Sequence, residues 1–323
     1  ANGLIEDNVK HALVGKISFM AVPAEEYIEL EFRELLRESG EIEFFGGKQE
    51  FIRLGLFDDV DIAMLTHTGG DSFGTFGIHG SSNGMIGKTI QYRGKASHAG
   101  GSPHLGVNAL NAALLGLSGI HAQRDTFRDS DTVRVHPIIT KGGASVNSVP
   151  SDVHLETYVR ASNIPAILST AEKIDRALRA GALATGAQVR IITNPGYLPT
   201  KYDRPLTEIY RHNAASLVGD DNVIPRNHGT GCSDIGDVSH IIPTIQPTVN
   251  ATTGEGHGVD YVVTNYELAV LKSGKAMGMT IIDLLADHGR LGTRVATSFN
   301  APMTINSYLA RMRAFRSDIT YET

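Results

Sequence analysis

Met85-Ile86-Gly87-Lys88-Thr89-Ile90-Gln91-Tyr92 reads as a strand, and the segments after it decide the fold. Val107 to Gln123 reads as an apolar helix, and Thr132 to Thr140 as a second strand. Asp152 to Arg160 alternates apolar and polar residues like a half-buried strand. Ile164 to Thr185 is a long helix, with Ala and Leu on its core stripe and Lys173, Arg176 and Arg179 outside. Gln188 to Thr193 closes as a strand. The order β-α-β-β-α-β is the split-βαβ, ferredoxin-like unit, and residues 85–196 have the size of a domain.

The flanks have a different character. In residues 1–84, Lys16 to Val22 reads as an apolar, β-branched strand, followed by a helix over Glu29 to Glu38 and a shorter one over Lys48 to Leu54. Asp59 to Thr66 reads as a buried strand ending at His67, and Asp71 to Ser82 as a Gly- and Ser-rich loop. Residues 197–289 resume this α/β pattern, with helices over Pro205 to Val218 and Thr264 to His288 and a strand over Thr244 to Val249. Alternating strands and helices argue for a mixed, mostly parallel sheet covered on both faces. The expected fold class is therefore α/β: one discontinuous domain (1–84 and 197–289) with an inserted ferredoxin-like domain (85–196). A tail over 290–323 carries a helical stretch near Asn306 to Arg316 and no assigned chemistry.

The chain has 323 residues, 41% hydrophobic and 20% charged, as in ordinary globular proteins. A net charge of -6 without a basic tract argues against nucleic acid as a partner. No apolar run approaches the roughly 18 residues of a membrane span, so no membrane partner is expected. The single cysteine, Cys232, fits a reducing, cytoplasmic compartment. Gly3 to Leu13 looks like the tail of a helix feeding a strand, which leads to the expectation that Ala1 lies inside a larger domain.

Candidate chemistry gathers at strand ends and loops. Val22-Pro23-Ala24-Glu25-Glu26 places two carboxylates just past a strand end, the usual address of a site in an open α/β sheet. Adjacent side chains diverge, so one carboxylate is free to bind a metal while the other reaches its water. The competing reading is a charged first helical turn. Glu26, His67 and His257 carry oxygen and nitrogen donors that suit a divalent ion, with no short spacing to tie them. His98, in Arg93-Gly94-Lys95-Ala96-Ser97-His98-Ala99-Gly100, is either an oxyanion donor or an exposed loop histidine. Asn147 offers an amide to a ligand or forms a turn before Pro150. Arg160 is either a carboxylate clamp or a solvated strand end. Cys232 reads as a small buried hydrophobe, not a nucleophile.

Val-Pro-Ala-Glu25-Glu26, Gly-Lys-Ala-Ser-His98-Ala-Gly, Gly-Gly-x-x-x-Asn147-x-Val-Pro and Gly-His257-Gly together resemble the di-metal aminoacylase/carboxypeptidase superfamily of metallopeptidases. The amidohydrolase branch is the nearer one. Phe45-Gly46-Gly47-Lys48-Gln49 and Phe57-Asp58-Asp59-Val60-Asp61 resemble its p-aminobenzoyl-glutamate hydrolase side. The resemblance implies that 1–84 and 197–289 are a catalytic domain and 85–196 its lid. It implies Glu25 as general base and Glu26, His67 and His257 as ligands of zinc or manganese, two ions per complete site. It also implies that His98 reaches a partner's site in a homodimer formed through the inserted domain, with Asn147 and Arg160 on the substrate. The expected reaction is hydrolysis of the amide in N-acyl amino acids, aminobenzoyl-glutamate-like compounds or dipeptides, small molecules with a free carboxylate. The family's upstream His-x-Asp segment has no counterpart here, so an N-terminally incomplete catalytic domain is expected. The alternative function is a non-catalytic subunit or fragment that dimerises and supplies half a site.

Overall fold

The computed structural model describes residues 9, 11–70, 74–78 and 80–322. Helices α1 (Leu30–Glu38) and α2 (Gly47–Arg53) precede the short strands β1 (Ala63–Met64), β2 (His67–Gly69), β3 (Phe76–Ile78) and β4 (Ser81–Ser82). Next come β5 (Gly84–Arg93), α3 (Ala109–Ala122), β6 (Arg134–Val135), β7 (Ile138–Lys141), β8 (Asp152–Ala161), α4 (Ile164–Thr185) and β9 (Gln188–Pro195). The chain continues with α5 (Arg204–Val218), β10 (Val223–Pro225), β11 (His228–Gly229), α6 (Ile235–Ser239), β12 (Thr244–Ile245), β13 (Thr248–Asn250), β14 (Thr252–Thr253) and β15 (Val262–Val263). It ends with α7 (Ser273–Ser298), α8 (Ile305–Ala314) and β16 (Ser317–Tyr321).

The period-2 pattern of β5, β8 and β9 produces one antiparallel sheet with two unlike faces. Strand order is β16-β9-β5-β8-β6, with β7 also on β8. Without β16 this is the order expected of a β-α-β-β-α-β unit. Pro137, which has no N–H to give a ladder, lies between β6 and β7, where a single strand was expected. Ile86, Ile90, Tyr92, Val153, Leu155, Val159 and Ile191 pack under α3 and α4 in one apolar core. The helices touch through glycine: a Cβ on Gly181 would run into the Ala112 carbonyl and the Gly116 backbone. On the opposite face, Gly87 leaves room for the Tyr27 ring, and α1 lies along Thr89, Gln91, His154, Arg190 and Ile192.

The flanking segments depart from one largely parallel sheet. They form separate pieces: β1 with β12, β4 with β11, β14 with β15, and the row β10-β3-β13-β2. The first two pairs, β10 with β3 and β13 with β2 are parallel; β13 with β3 and β14 with β15 are antiparallel. Lys16 to Val22 is not a strand. No described strand lies beside it to take its backbone hydrogen bonds, and Phe19 is 74% exposed. The helix expected over Thr264 to His288 opens with a π-type turn at Glu267–Lys272 and breaks at residues 286–289, where Asp287, His288 and Gly289 are left-handed. Of the expected loop over Asp71 to Ser82, residues 71–73 and 79 lie outside the described residues, as does most of Gly3 to Leu13. The tail returns to the first sheet: β16 pairs antiparallel with β9, and Arg190 grips Asp318 through Nε at 2.8 Å and Nη2 at 2.5 Å.

Under the Glu25–Glu26 loop lies a buried polar foundation. The Lys48 ammonium pairs with Asp234, which also accepts the Lys48 N–H at 3.1 Å. Gln49 donates to the Gly196 carbonyl, and Tyr308 donates to Asp237 at 2.9 Å. Burial lifts the Asp234 carboxyl to about 6 despite Lys48, and burial lifts that of Asp237 well above the ordinary value.

Gly181→Ala should lower stability by about 1–3 kcal/mol through overpacking of the two helices. Gly274→Ala, at an open helical position, should instead gain up to about 1 kcal/mol from helix propensity; urea unfolding of both variants checks the pair. A carboxyl raised in the folded state stabilises below its unfolded value and loses that contribution as pH rises through the folded value. The melting temperature should therefore fall between pH 5 and pH 8, and Asp237→Asn should flatten the slope. Calorimetric curves that stay parallel would contradict the assignment.

Candidate active site

Glu25 and Glu26 sit on a loop whose backbone is held at three successive carbonyls by three separate segments. Gly47 N–H donates to the Ala24 carbonyl at 2.7 Å. The Tyr197 hydroxyl donates to the Glu25 carbonyl, and Arg33 Nη2 to the Glu26 carbonyl at 2.7 Å. Gly47 is required at its position: a Cβ there would lie 2.9 Å from the Ala24 oxygen and against Val22. The Glu25 side chain is fixed as well, its Oε1 accepting from Ser233 Oγ at 2.8 Å. Glu25 is half-buried, whereas Glu26 is exposed. Tyr27, next in the chain, is buried against Phe45, Tyr158 and Tyr197, and its own carbonyl accepts from the Tyr158 hydroxyl.

Arg160 stands on the face of the sheet away from α3 and α4, opposite Met85 in the ladder and over the Tyr158 ring at 5.6 Å. Its Nε is buried without a hydrogen-bond partner among the described residues. Burial pushes the Cys232 thiol up to about 12, with Arg160 opposing and Glu25 adding to the shift. Glu25 and Arg160 thus flank one neutral, non-nucleophilic cysteine. Burial, with Arg160 and Arg124 nearby, lowers the pKa of His136 on the same face.

His98 and Asn147 are brought together, away from Glu25. Ala99 N–H donates to the Asn147 carbonyl at 2.9 Å, and His98 bridges Ser148. The His98 Nδ1 accepts from the N–H groups of Gly100 at 3.1 Å and Gly101 at 3.0 Å. Those two donors assign the ring proton of the neutral form to Nε2, which is left free for a ligand. Both side chains are exposed. Arg160 pairs at the start of β5 and His98 follows its end; ten residues at ~3.3 Å each put about 30 Å between the two ends.

His67 opens β2 beside Thr248, exposed, with Nδ1 2.5 Å from the Thr68 carbonyl. His257 is exposed, left-handed at φ 65, between β14 and β15. Imidazole and carboxylate suit zinc or manganese chemically. Among the described residues, however, no three His, Cys, Asp or Glu side chains gather to hold a metal. Glu26, His67 and His257 as placed do not fit such a centre.

Sequence reasoning missed Lys48, Ser233, Asp234 and Tyr197. Lys48 and Asp234 meet across 186 positions, a pairing no local pattern announces. The one available signal was charge and hydroxyl inside Gly-rich turns next to apolar helices.

The peptidase dimerisation domain of the M20 family matches residues 80–185. A mouse (Mus musculus) Xaa-Arg dipeptidase is 31% identical over 250 residues, covering 74% of this chain and 56% of the relative. A p-aminobenzoyl-glutamate hydrolase subunit from Escherichia coli K12 is 30% identical over 189 residues, covering 55% of this chain and 37% of the relative. The chain thus spans about half the length, or less, of these curated relatives. A Bacillus subtilis dinuclear metal binding peptidase of the M20 family shares the fold at a TM-score of 0.55 and 20% identity, over 74% of this chain and 61% of that one. Residues 80–185 thus match the dimerisation domain of the M20 peptidase family, and the chain is similar to members of that family over the span of these relatives.

Proposed function

We propose that this chain contributes to hydrolysis of the amide bond in N-acyl amino acids, aminobenzoyl-glutamate-like compounds or dipeptides. In this reading residues 1–84 and 197–289 form the catalytic frame and 85–196 the lid and dimerisation domain. The observation that carries it is the immobilised Glu25 carboxylate beside Arg160, whose buried Nε has no partner among the described residues. Arg160 binds the substrate's free carboxylate with its planar fork. Glu25 takes a proton from the attacking water and passes it to the leaving amine, acting as base and then as acid. His98, with Nε2 as donor, steadies the tetrahedral oxyanion. Within one chain His98 lies across a ~30 Å strand from Arg160, so the donor comes from a second copy. Asn147, joined to the His98 loop, orients the same substrate.

A second reading has its own support. Glu26, His67 and His257 do not gather, so the chain alone fits a subunit or fragment supplying half a site.

Turnover of an N-acyl amino acid and its carboxamide by the intact protein separates the two. The hydrolase reading expects Glu25→Gln to cut kcat about 10²–10⁴-fold with little change in KM. It expects Arg160→Lys to raise KM for the carboxylate substrate far more than for the carboxamide. Absence of turnover in the intact wild type favours the half-site reading, and an undiminished Glu25→Gln rate removes Glu25 as the base.

A further inference from the structure

We infer that Ser233 is a positioning residue for the Glu25 carboxylate, a role that rests on Glu25 being the proton carrier. The Ser233 hydroxyl is buried and donates to Glu25 Oε1 at 2.8 Å. With Oε1 occupied, Oε2 is the oxygen free to take the proton from water. The bond removes side-chain rotation that would otherwise be lost on reaching the transition state.

The donor is itself rigid. Asp234, the next residue, is fully buried and held by both the ammonium and the N–H of Lys48. The Ser233 carbonyl accepts from Gly236 N–H at 3.0 Å at the start of α6. Lys48 directly follows Gly47, whose N–H fixes the Ala24 carbonyl. The same two segments, 46–48 and 233–236, therefore hold the Glu25 loop by its backbone and by its side chain. A hydroxyl present only to fill space needs no such anchoring, and its loss would not lower kcat at constant KM.

The test uses the intact protein and an N-acyl amino acid, with kcat and KM measured from pH 5 to 9 and a melting temperature for each variant. Ser233→Ala should lower kcat about 10- to 100-fold and leave KM unchanged. Ser233→Thr, which keeps the hydroxyl, should restore kcat. Ser233→Cys keeps the volume with a weak donor and should fall with Ser233→Ala, which keeps the test open if the alanine variant does not fold. In a Glu25→Gln background, Ser233→Ala should cause no further loss. Unchanged kcat in Ser233→Ala and Ser233→Cys, with Glu25→Gln inactive, would overturn the role of Ser233 and leave Glu25 standing. An undiminished Glu25→Gln rate would overturn both.

Discussion

The buried pair between Lys48 and Asp234 ties together the two segments that hold the Glu25 loop. Removing one partner of such a pair leaves an uncompensated buried charge, which costs about 3–5 kcal/mol. Above the pair, Gly47 holds Ala24 and Ser233 holds Glu25; beside it, Gln49 reaches Gly196 and brings Tyr197 to the loop. Preorganised carboxylates of this kind have the placement that proton transfer requires. The pair has no chemistry of its own, yet it sets the position of the Glu25 carboxylate.

The second constraint is the sheet. The face away from α3 and α4 carries Arg160 and Tyr158 beside the Glu25 loop, and α1 runs along the same face from that loop. Tyr27, Arg33 and Arg37 bind this segment to its neighbours: Tyr27 donates to the Pro195 carbonyl, Arg33 to the Phe45 carbonyl and Arg37 to Asn194. One end of β5 thus belongs to Glu25 and Arg160. The other end presents His98 and Asn147 to solvent, so the proposed constellation draws them from a second chain.

Much of this was legible in the sequence, for identifiable reasons. The β-α-β-β-α-β order could be read because β5, β8 and β9 are long enough for period 2 to separate them from α3 and α4. Lys16 to Val22 had the composition of a strand but no described neighbour, and strand formation depends on a partner. The last strand, Ser317-Asp318-Ile319-Thr320-Tyr321, is short and half polar; its place comes from distant partners, the β9 edge, the Arg190–Asp318 pair and Arg179 over the Tyr321 ring. Glu25, His98 and Arg160 were singled out through motif chemistry. Ser233 and Lys48 were not, because their partners are far away in the chain.

The most direct test mixes two inactive versions of the intact protein, one carrying His98→Ala and the other Glu25→Gln, under conditions that exchange subunits. If each site takes Glu25 from one chain and His98 from its partner, random pairing restores about a quarter of the wild-type rate, from hybrid dimers with one intact site. A mixture no more active than its separate components would place His98 and Glu25 in the same chain's site and contradict the two-chain account.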